Sequence, residues 1–209
     1  MLAAAAVGAL AGSNLLAWAQ HFELWRANTA DLTARFSGKT IVGGLLGGWL
    51  AIEWVKRLAH ERRRTGDLYV LPLCVGIAIG RVGCFLAGLG DHTYGNPTTL
   101  PWGVDFGDGM RRHPAQLYEI VALMLIAAWA IAARRRIGAE RLLEGDAFRG
   151  FMSLYLVFRL ALEAIKPEPR LVFGLSAIQL ACVLGVLYLL PEWPRVFGLA
   201  PARAEIPTV

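Results

Sequence analysis

The feature that most constrains this chain is an apolar run, residues 68–90, with the sequence LYVLPLCVGIAIGRVGCFLAGLG. A helix of this length crosses the hydrocarbon core of a bilayer. Backbone polar groups find no water in that core, so a run of this kind folds as a helix. Similar runs recur along the chain and predict an all-α, polytopic membrane bundle of about six helices. Their predicted ranges are 1–19, 40–54, 68–90, 114–133, 148–165 and 172–190.

Composition agrees with a single integral membrane domain over residues 1–209. Hydrophobic residues make up 56% of the chain, which is too many for an ordinary soluble domain. Cys74, Cys84 and Cys182 all lie in apolar runs without CxxC spacing, so they are predicted to be small core residues. No set of His, Asp and Glu has ligand spacing, so neither a metal nor a cofactor is expected.

Basic residues concentrate in the second and fourth loops between these helices. The second loop holds five Lys or Arg, and the fourth holds five when Arg149 at the start of the fifth helix is included, whereas the other three hold three, two and two. The positive-inside rule therefore predicts that both termini lie in the cytoplasm and that the loop of residues 90–112 faces outward. No nucleic-acid partner is expected, because the Lys and Arg residues flank membrane spans.

Arg81 is a charged residue within the third apolar run. A guanidinium at such depth costs about 2.5–3.5 kcal/mol on insertion scales, so it needs a partner or a water-filled cavity. Gly76, Gly80 and Gly83 remove side chains around it, which lets another helix or a ligand approach closely.

A second group of ionisable residues lies on the fifth helix, where Tyr155, Arg159 and Glu163 follow one another at intervals of four and share a face. One interpretation is an internal ion pair between Arg159 and Glu163. The other is that Arg81 and Arg159 converge on a lipid phosphate, which guanidinium groups bind bidentately. Two arginines and one nearby acid would leave a positive surplus suited to an anionic headgroup.

Two segments, GRVGCF at residues 80–85 and RHPAQLYE at residues 112–119, together with the aromatic-containing loop between them, carry a family resemblance. The chain resembles the prolipoprotein diacylglyceryl transferases over about residues 38–179. Those are bacterial cytoplasmic-membrane enzymes that move the diacylglyceryl group of phosphatidylglycerol onto a lipoprotein cysteine. The resemblance implies phosphatidylglycerol, membrane lipid and a prolipoprotein or other thiol acceptor as partners. It also implies that a cysteine thiolate attacks a glycerol carbon while glycerol phosphate leaves.

The resemblance also assigns roles to individual positions. Each of the two candidate histidines also has a purely structural interpretation. His92 would then be a solvated loop residue, and His113 would be the N-cap of the fourth helix. Glu119 is expected to favour the start of the fourth helix through the helix dipole. The catalytic residues that the resemblance implies are Glu163, Tyr155 and His113, and the substrate-binding residues that it implies are Arg81, Arg159, Gly80, Asp67, Gly43 and Gly44. His92 is a further catalytic candidate, because it lies where the family's signature glutamate is missing and would replace that polar group.

Several signature positions differ from the family pattern. Cys84 stands at an asparagine position, Leu89 at a glutamate position and Val42 at a histidine position. Set against the seven spans usual in the family, this chain starts about one span late. These differences keep two alternatives open: a phosphatidylglycerol-dependent transferase with another acceptor, and a catalytically silent lipid-binding paralogue.

Overall fold

The structure is a computed structural model that describes residues 1–22, 38–138, 142–171 and 174–199. These residues are mostly helical, and one two-stranded sheet interrupts them. The α-helices are α1 (Leu2–Gln20), α2 (Ile41–Leu58), α3 (Val70–Ala87), α4 (Ala115–Gly138), α5 (Asp146–Leu162), α6 (Ala177–Leu189) and α7 (Trp193–Val196). Short 3-10 helices precede α3, follow α3, extend α5 and join α6 to α7; they span Gly66–Tyr69, Gly88–Asp91, Glu163–Ile165 and Leu190–Glu192.

The predicted all-α polytopic membrane class is confirmed, and each of the six predicted helices is present. The predicted start of the sixth helix at Val172 lies outside the described residues, as do Arg26, Arg35 and Arg141 of the charge pattern. In the described ranges, four helical stretches are long and apolar enough to cross a membrane. They are Leu2–Gln20, Gly66–Asp91, Ala115–Ile137 and Ala177–Val196.

The other two long helices are less suited to span a bilayer alone. α2 has 18 residues and includes Glu53, Lys56 and Arg57. α5 has only 17 residues and carries Arg149 and Arg159. Six spans therefore stay a prediction.

The chain divides into two compact units, and a single domain likewise stays a prediction. Unit 1 comprises the described residues of 1–63 and 168–185, and unit 2 comprises residues 64–167 and those from 186 onward. Unit 1 contains α1, α2 and the first part of α6. Unit 2 contains α3, α4, α5 and α7.

Glycines bring α1 and α2 into backbone contact within unit 1. A Cβ atom on Gly43 would collide with the carbonyl oxygen of Gly12, and one on Gly47 with that of Gly8. The predicted close packing of small residues is therefore confirmed. The Thr40 hydroxyl caps α2 by accepting a hydrogen bond from the Gly43 amide at 3.2 Å.

Asp67 anchors the start of α5 in unit 2. Its two carboxylate oxygens accept hydrogen bonds from the amides of Gly145 and Phe148, at 2.7 and 2.8 Å. These amides belong to the first turn of a helix, where N–H groups have no intrahelical partner. Further along α5, the Trp129 ring of α4 fills the space that a side chain on Gly150 would need. Both contacts set the position of α5 beside α4.

The loop before α4 contains a short hairpin that the sequence analysis did not predict. Strand β1 (Val104–Asp105) pairs antiparallel with β2 (Arg111–Arg112). The Asp105 carboxylate closes the turn by accepting from the amides of residues 107, 108 and 109, at 2.8–3.1 Å. The backbone N–H of Asn96 donates a hydrogen bond to the carbonyl oxygen of Ile165 at 2.7 Å. This bond connects the loop to the 3-10 turn that extends α5, the helix that carries Arg159.

Candidate functional site

A buried carboxylate, Glu119 of α4, lies where α3, α4 and α5 meet. Its Oε2 lies 2.8 Å from Nε of Arg81 on α3 and 3.7 Å from Nη1 of Arg159 on α5. Its Oε1 accepts a hydrogen bond from the Tyr155 hydroxyl at 2.6 Å. Glu119 is 1% exposed, and both guanidinium side chains are below 10%. One carboxylate therefore joins three helices away from solvent.

Glu163 supplies a second acid to this cluster. Its Oε2 lies 3.0 Å from Nη2 of Arg159, an ion-pair distance without the alignment of a hydrogen bond. The predicted internal ion pair is confirmed. Arg81 and Arg159 also converge as predicted, but on the carboxylate of Glu119.

The predicted positive surplus is wrong, because two carboxylates balance the two guanidinium groups. Glu119 was expected only to favour the dipole of α4, so the predicted charge balance included one acid too few. A signal was available: Arg81 needs a partner, and Glu119 is the only acid in the sequence of α4. Which way that carboxylate points depends on the rotation of α4 against its neighbours.

The face of α5 that was predicted from spacing is the buried one. Tyr155 and Arg159 both point into unit 2, with 0% and 5% exposure. Glu163 already belongs to the 3-10 turn that extends α5, yet it stays in reach of Arg159 one turn earlier. The shared face therefore survives the change of helix type.

The α3 side of the cluster is open. The Cys84 thiol lies 3.8 Å from Nη1 of Arg81. Gly76, Gly80 and Gly83 have no atom of the described chain, outside their own helix, within 4 Å of where a Cβ would stand. The glycines therefore leave a surface without side chains beside Arg81, as expected for close approach by a ligand, although no helix of the described chain packs there.

A short polar relay runs from α3 to α4 next to the cluster. The Thr93 hydroxyl donates to Oδ2 of Asp91 at 2.5 Å, and the Gln116 amide donates to Oγ1 of Thr93 at 3.1 Å. Gln116 is 1% exposed and precedes Glu119 by one helical turn. No functional role was predicted from the sequence for Thr93 or for Gln116.

The two candidate histidines lie outside the cluster. His113 is half-buried, and its Nδ1 lies 3.1 Å from the Tyr118 hydroxyl, which itself accepts from the Trp102 indole at 2.8 Å. His92 is exposed, with a left-handed backbone at φ 52°, and its ring lies near Tyr94. In the described part of the chain, neither imidazole forms a hydrogen bond or an ion pair with Glu119, Glu163 or the two guanidinium groups. Their catalytic roles stay predictions.

Three of the four remaining predicted binding residues, Asp67, Gly43 and Gly44, have structural contacts of their own. Asp67 caps α5, and Gly43 and Gly44 belong to the helix pair of unit 1. Gly80 adjoins Arg81 on the open side of α3. Substrate contacts at these four positions stay predictions.

Taken together, the cluster offers two guanidinium groups whose counter-charges are carboxylates within the same helices. A guanidinium prefers a bidentate oxyanion, and a phosphate meets that preference as well as a carboxylate does. An entering phosphate would therefore compete with Glu119 and Glu163 for Arg81 and Arg159. The arrangement suits transient anion binding at the edge of an apolar helix bundle.

Comparison with known proteins identifies close similarity to one enzyme family. The family model described as prolipoprotein diacylglyceryl transferase matches residues 1–191. The phosphatidylglycerol–prolipoprotein diacylglyceryl transferase of Nitratidesulfovibrio vulgaris is 37% identical over 158 residues, or 70% of this chain. Its namesakes in Phenylobacterium zucineum and Coxiella burnetii are 30% and 33% identical over 78% and 73% of the chain. The chain spans 56%, 58% and 54% of the length of these three relatives.

Proposed function

Because the chain belongs to the prolipoprotein diacylglyceryl transferase family, we propose that it transfers the diacylglyceryl group of phosphatidylglycerol to the lipobox cysteine of a prolipoprotein. The observation that carries this proposal is the convergence of Arg81 and Arg159 on one oxygen of Glu119. Two guanidinium groups held this close can bind one phosphate together.

The reaction is a displacement at the carbon of the diacylglyceryl unit that is bonded to the phosphate oxygen. The acceptor thiolate forms a sulfur–carbon bond as the carbon–oxygen bond breaks, and the electron pair of that bond leaves on the phosphate. Glycerol phosphate is released with the added negative charge. Arg81 and Arg159 stabilise that charge, and a preorganised guanidinium in a water-poor site is effective at such work.

The acceptor thiol must lose a proton before it attacks, because the thiolate is the nucleophile. We assign Glu163 as the base that accepts this proton. Its carboxylate lies 3.0 Å from Arg159, which supports the assignment because Arg159 is proposed to bind the lipid phosphate. When Arg159 turns toward the lipid phosphate, Glu163 loses part of its counter-charge and becomes available to the thiol. His92 and His113 are second choices, since neither forms a hydrogen bond or an ion pair with Arg159 among the described residues.

Tyr155 and Gly80 have supporting roles in this scheme. Tyr155 donates its hydroxyl proton to Glu119 and so holds the carboxylate while the arginines exchange partners. Gly80 leaves the α3 surface beside Arg81 without a side chain. The lipid headgroup enters from that side.

The test is turnover by the purified protein in phosphatidylglycerol vesicles with a lipobox peptide, measured as glycerol phosphate release and peptide mass. The double substitution Arg159→Leu with Glu163→Leu removes both members of a buried pair, which is often close to neutral for folding. We expect the variant to fold and to lose at least about 10²-fold in turnover, the usual scale for a lost electrostatic or acid–base group.

A matched control is the double substitution Arg149→Leu with Glu192→Leu, a second ion pair of unit 2 at 2.7 Å. Arg149 lies ten residues before Arg159 on α5, about 15 Å along the helix, so turnover should persist. Full turnover in a folded Arg159/Glu163 variant would refute the catalytic assignment. Phosphatidylglycerol binding by the wild type without release of glycerol phosphate would instead favour the lipid-binding paralogue.

We further infer that the protein lies in the cytoplasmic membrane of a bacterium with both termini inside. Five Lys and Arg lie in or next to the connection between α2 and α3, and five lie in or next to the connection between α4 and α5, which supports this orientation. In a background without native cysteines, an impermeant thiol reagent added outside should label Thr98→Cys and leave Arg63→Cys unlabelled. The reverse pattern would overturn the orientation.

A further inference from the structure

Gln116 is a buried amide whose carbonyl oxygen is unused. Its Nε2 donates to Thr93, but its Oε1 accepts no hydrogen bond from any of the described residues. The side chain is 1% exposed. Leaving a buried acceptor without a donor costs about 1–3 kcal/mol, so the retention of this amide needs an explanation.

The orientation of the Gln116 amide follows from its neighbours. The Asp91 carboxylate only accepts, so the Thr93 hydroxyl spends its single proton on Asp91. Thr93 Oγ1 can then only accept from Gln116, and the NH2 group must face it. Exchanging the amide oxygen and nitrogen would place two acceptors together. The free atom is therefore an oxygen, and it calls for a donor.

The Gln116 side chain lies on the same face of α4 as Glu119, the ion-pair partner of Arg81. Gln116 and Glu119 are one turn apart on α4, where Cβ atoms lie about 5–6 Å from each other. Glu119 is the ion-pair partner of Arg81. From the other side, the Cys84 thiol lies beside both Arg81 and Asp91, the residue at the far end of the Gln116 relay.

We propose that Gln116 Oε1 accepts a hydrogen bond from a headgroup hydroxyl of the lipid donor, so that Gln116 selects lipids with a hydroxylated headgroup. This inference rests on the proposed function, since it takes the lipid phosphate to be bound at Arg81. The headgroup of phosphatidylglycerol is a glycerol attached directly to that phosphate. With the phosphate at Arg81, the glycerol hydroxyls come next to the α4 face that carries Glu119 and Gln116.

Chemistry favours a hydroxyl over the acceptor thiol as the donor to Gln116. An S–H group is a weak donor, whereas an O–H group is a strong one. A site built to bond a hydroxyl discriminates against the analogue that lacks it, because the buried acceptor is then left unpaired. Thr93 acts as a positioning residue here, since it holds the amide with its oxygen toward the lipid.

The experiment compares phosphatidylglycerol with phosphatidylpropanol of the same acyl chains, which keeps the phosphodiester and the diacylglyceryl group but has no headgroup hydroxyl. We expect the wild type to prefer phosphatidylglycerol by roughly tenfold in kcat/KM, the scale of one hydrogen bond. Gln116→Met should lower that ratio to about 1 while turnover of phosphatidylpropanol persists. Thr93→Val should lower the ratio in part.

The matched control is Gln179→Met in unit 1, where the amide oxygen is already used by Arg170 and by the Ser176 amide. This variant should keep the wild-type preference. Equal use of both lipids by the wild type would overturn the inference and leave the proposed function standing. An unchanged preference in Gln116→Met, or in the more conservative Gln116→Asn if the first does not fold, would also overturn it. Failure of the wild type on both lipids would overturn the proposed function as well.

Discussion

The interface of α1 with α2 and the junction of α3, α4 and α5 join helices by opposite means. In the first, glycines at positions 8, 12, 43 and 47 let two backbones touch. In the second, two arginines and two glutamates form buried ion pairs where the three helices meet. Lipid tails are as apolar as leucine, so helices in a membrane associate through close packing or through polar contacts, and this chain uses both.

The two interfaces differ in whether a ligand can replace their contacts. Backbone contacts between glycines offer a ligand nothing to compete for, and they depend only on the absence of side chains. The junction of unit 2 holds charges that an entering anion can take over. A function that requires anion binding is therefore expected at the second interface, and the substitutions below test that expectation in order of decreasing effect.

The largest effect is expected from Glu119→Gln at the charged junction. This change keeps the shape of the side chain but leaves Arg81 without its carboxylate and Arg159 with only Glu163 of the two. Removing one partner from a buried ion pair costs about 3–5 kcal/mol, so we expect a loss of this size in the free energy of unfolding in detergent.

Tyr155→Phe is the control for Glu119→Gln, because it removes one hydrogen bond to Glu119 and no charge. Its expected cost is about 1 kcal/mol. If Glu119→Gln proved no more costly than Tyr155→Phe, the junction would not depend on its charges, and the contrast between the two interfaces would disappear.

An intermediate effect is expected at two adjacent glycines of the other interface. Gly43→Ala drives a methyl group into the carbonyl oxygen of Gly12 and should destabilise the protein by about 1–3 kcal/mol. At Gly44 a Cβ meets its nearest neighbour at 3.7 Å, an ordinary contact. Gly44→Ala should therefore be neutral or stabilising by up to about 1 kcal/mol, because alanine favours the helix. Equal unfolding curves for the two variants would contradict backbone contact at Gly43.

The smallest effect is expected at an ion pair of the hairpin, Asp108 with Arg112, whose side chains are 34% and 12% exposed. The hydrogen bonds from Arg112, at 2.7 Å, hold the pKa of the Asp108 carboxyl below its ordinary value. Because the folded pKa is the lower one, the contribution to stability is present above the unfolded pKa and is lost as pH falls through the folded pKa.

Arg112→Gln should therefore raise the Asp108 midpoint in an NMR titration and lower thermal stability at pH 7 only slightly, since ion pairs near the surface contribute little. A marked drop in Tm for this variant would show that charge itself, and not burial, sets the size of these effects.

Much of this architecture could be predicted from the sequence because lipid permits few backbone structures. The helices, the close packing of their glycines and the shared face of Tyr155, Arg159 and Glu163 all follow from periodicity. The depth of Arg81 in an apolar run also required a partner. The hairpin before α4 was missed, since its strands are two residues long and depend on the carboxylate of Asp105.

Only the tertiary structure decided which groups meet. Asp67 and Gly145 are 78 residues apart in sequence, and no local pattern indicates that one caps the helix of the other. Glu119 has the same place in the sequence whether it faces solvent at the start of α4 or the guanidinium groups of two other helices. That choice depends on how α3, α4 and α5 rotate against one another, because periodicity gives each helix a face but does not say which neighbour the face will contact.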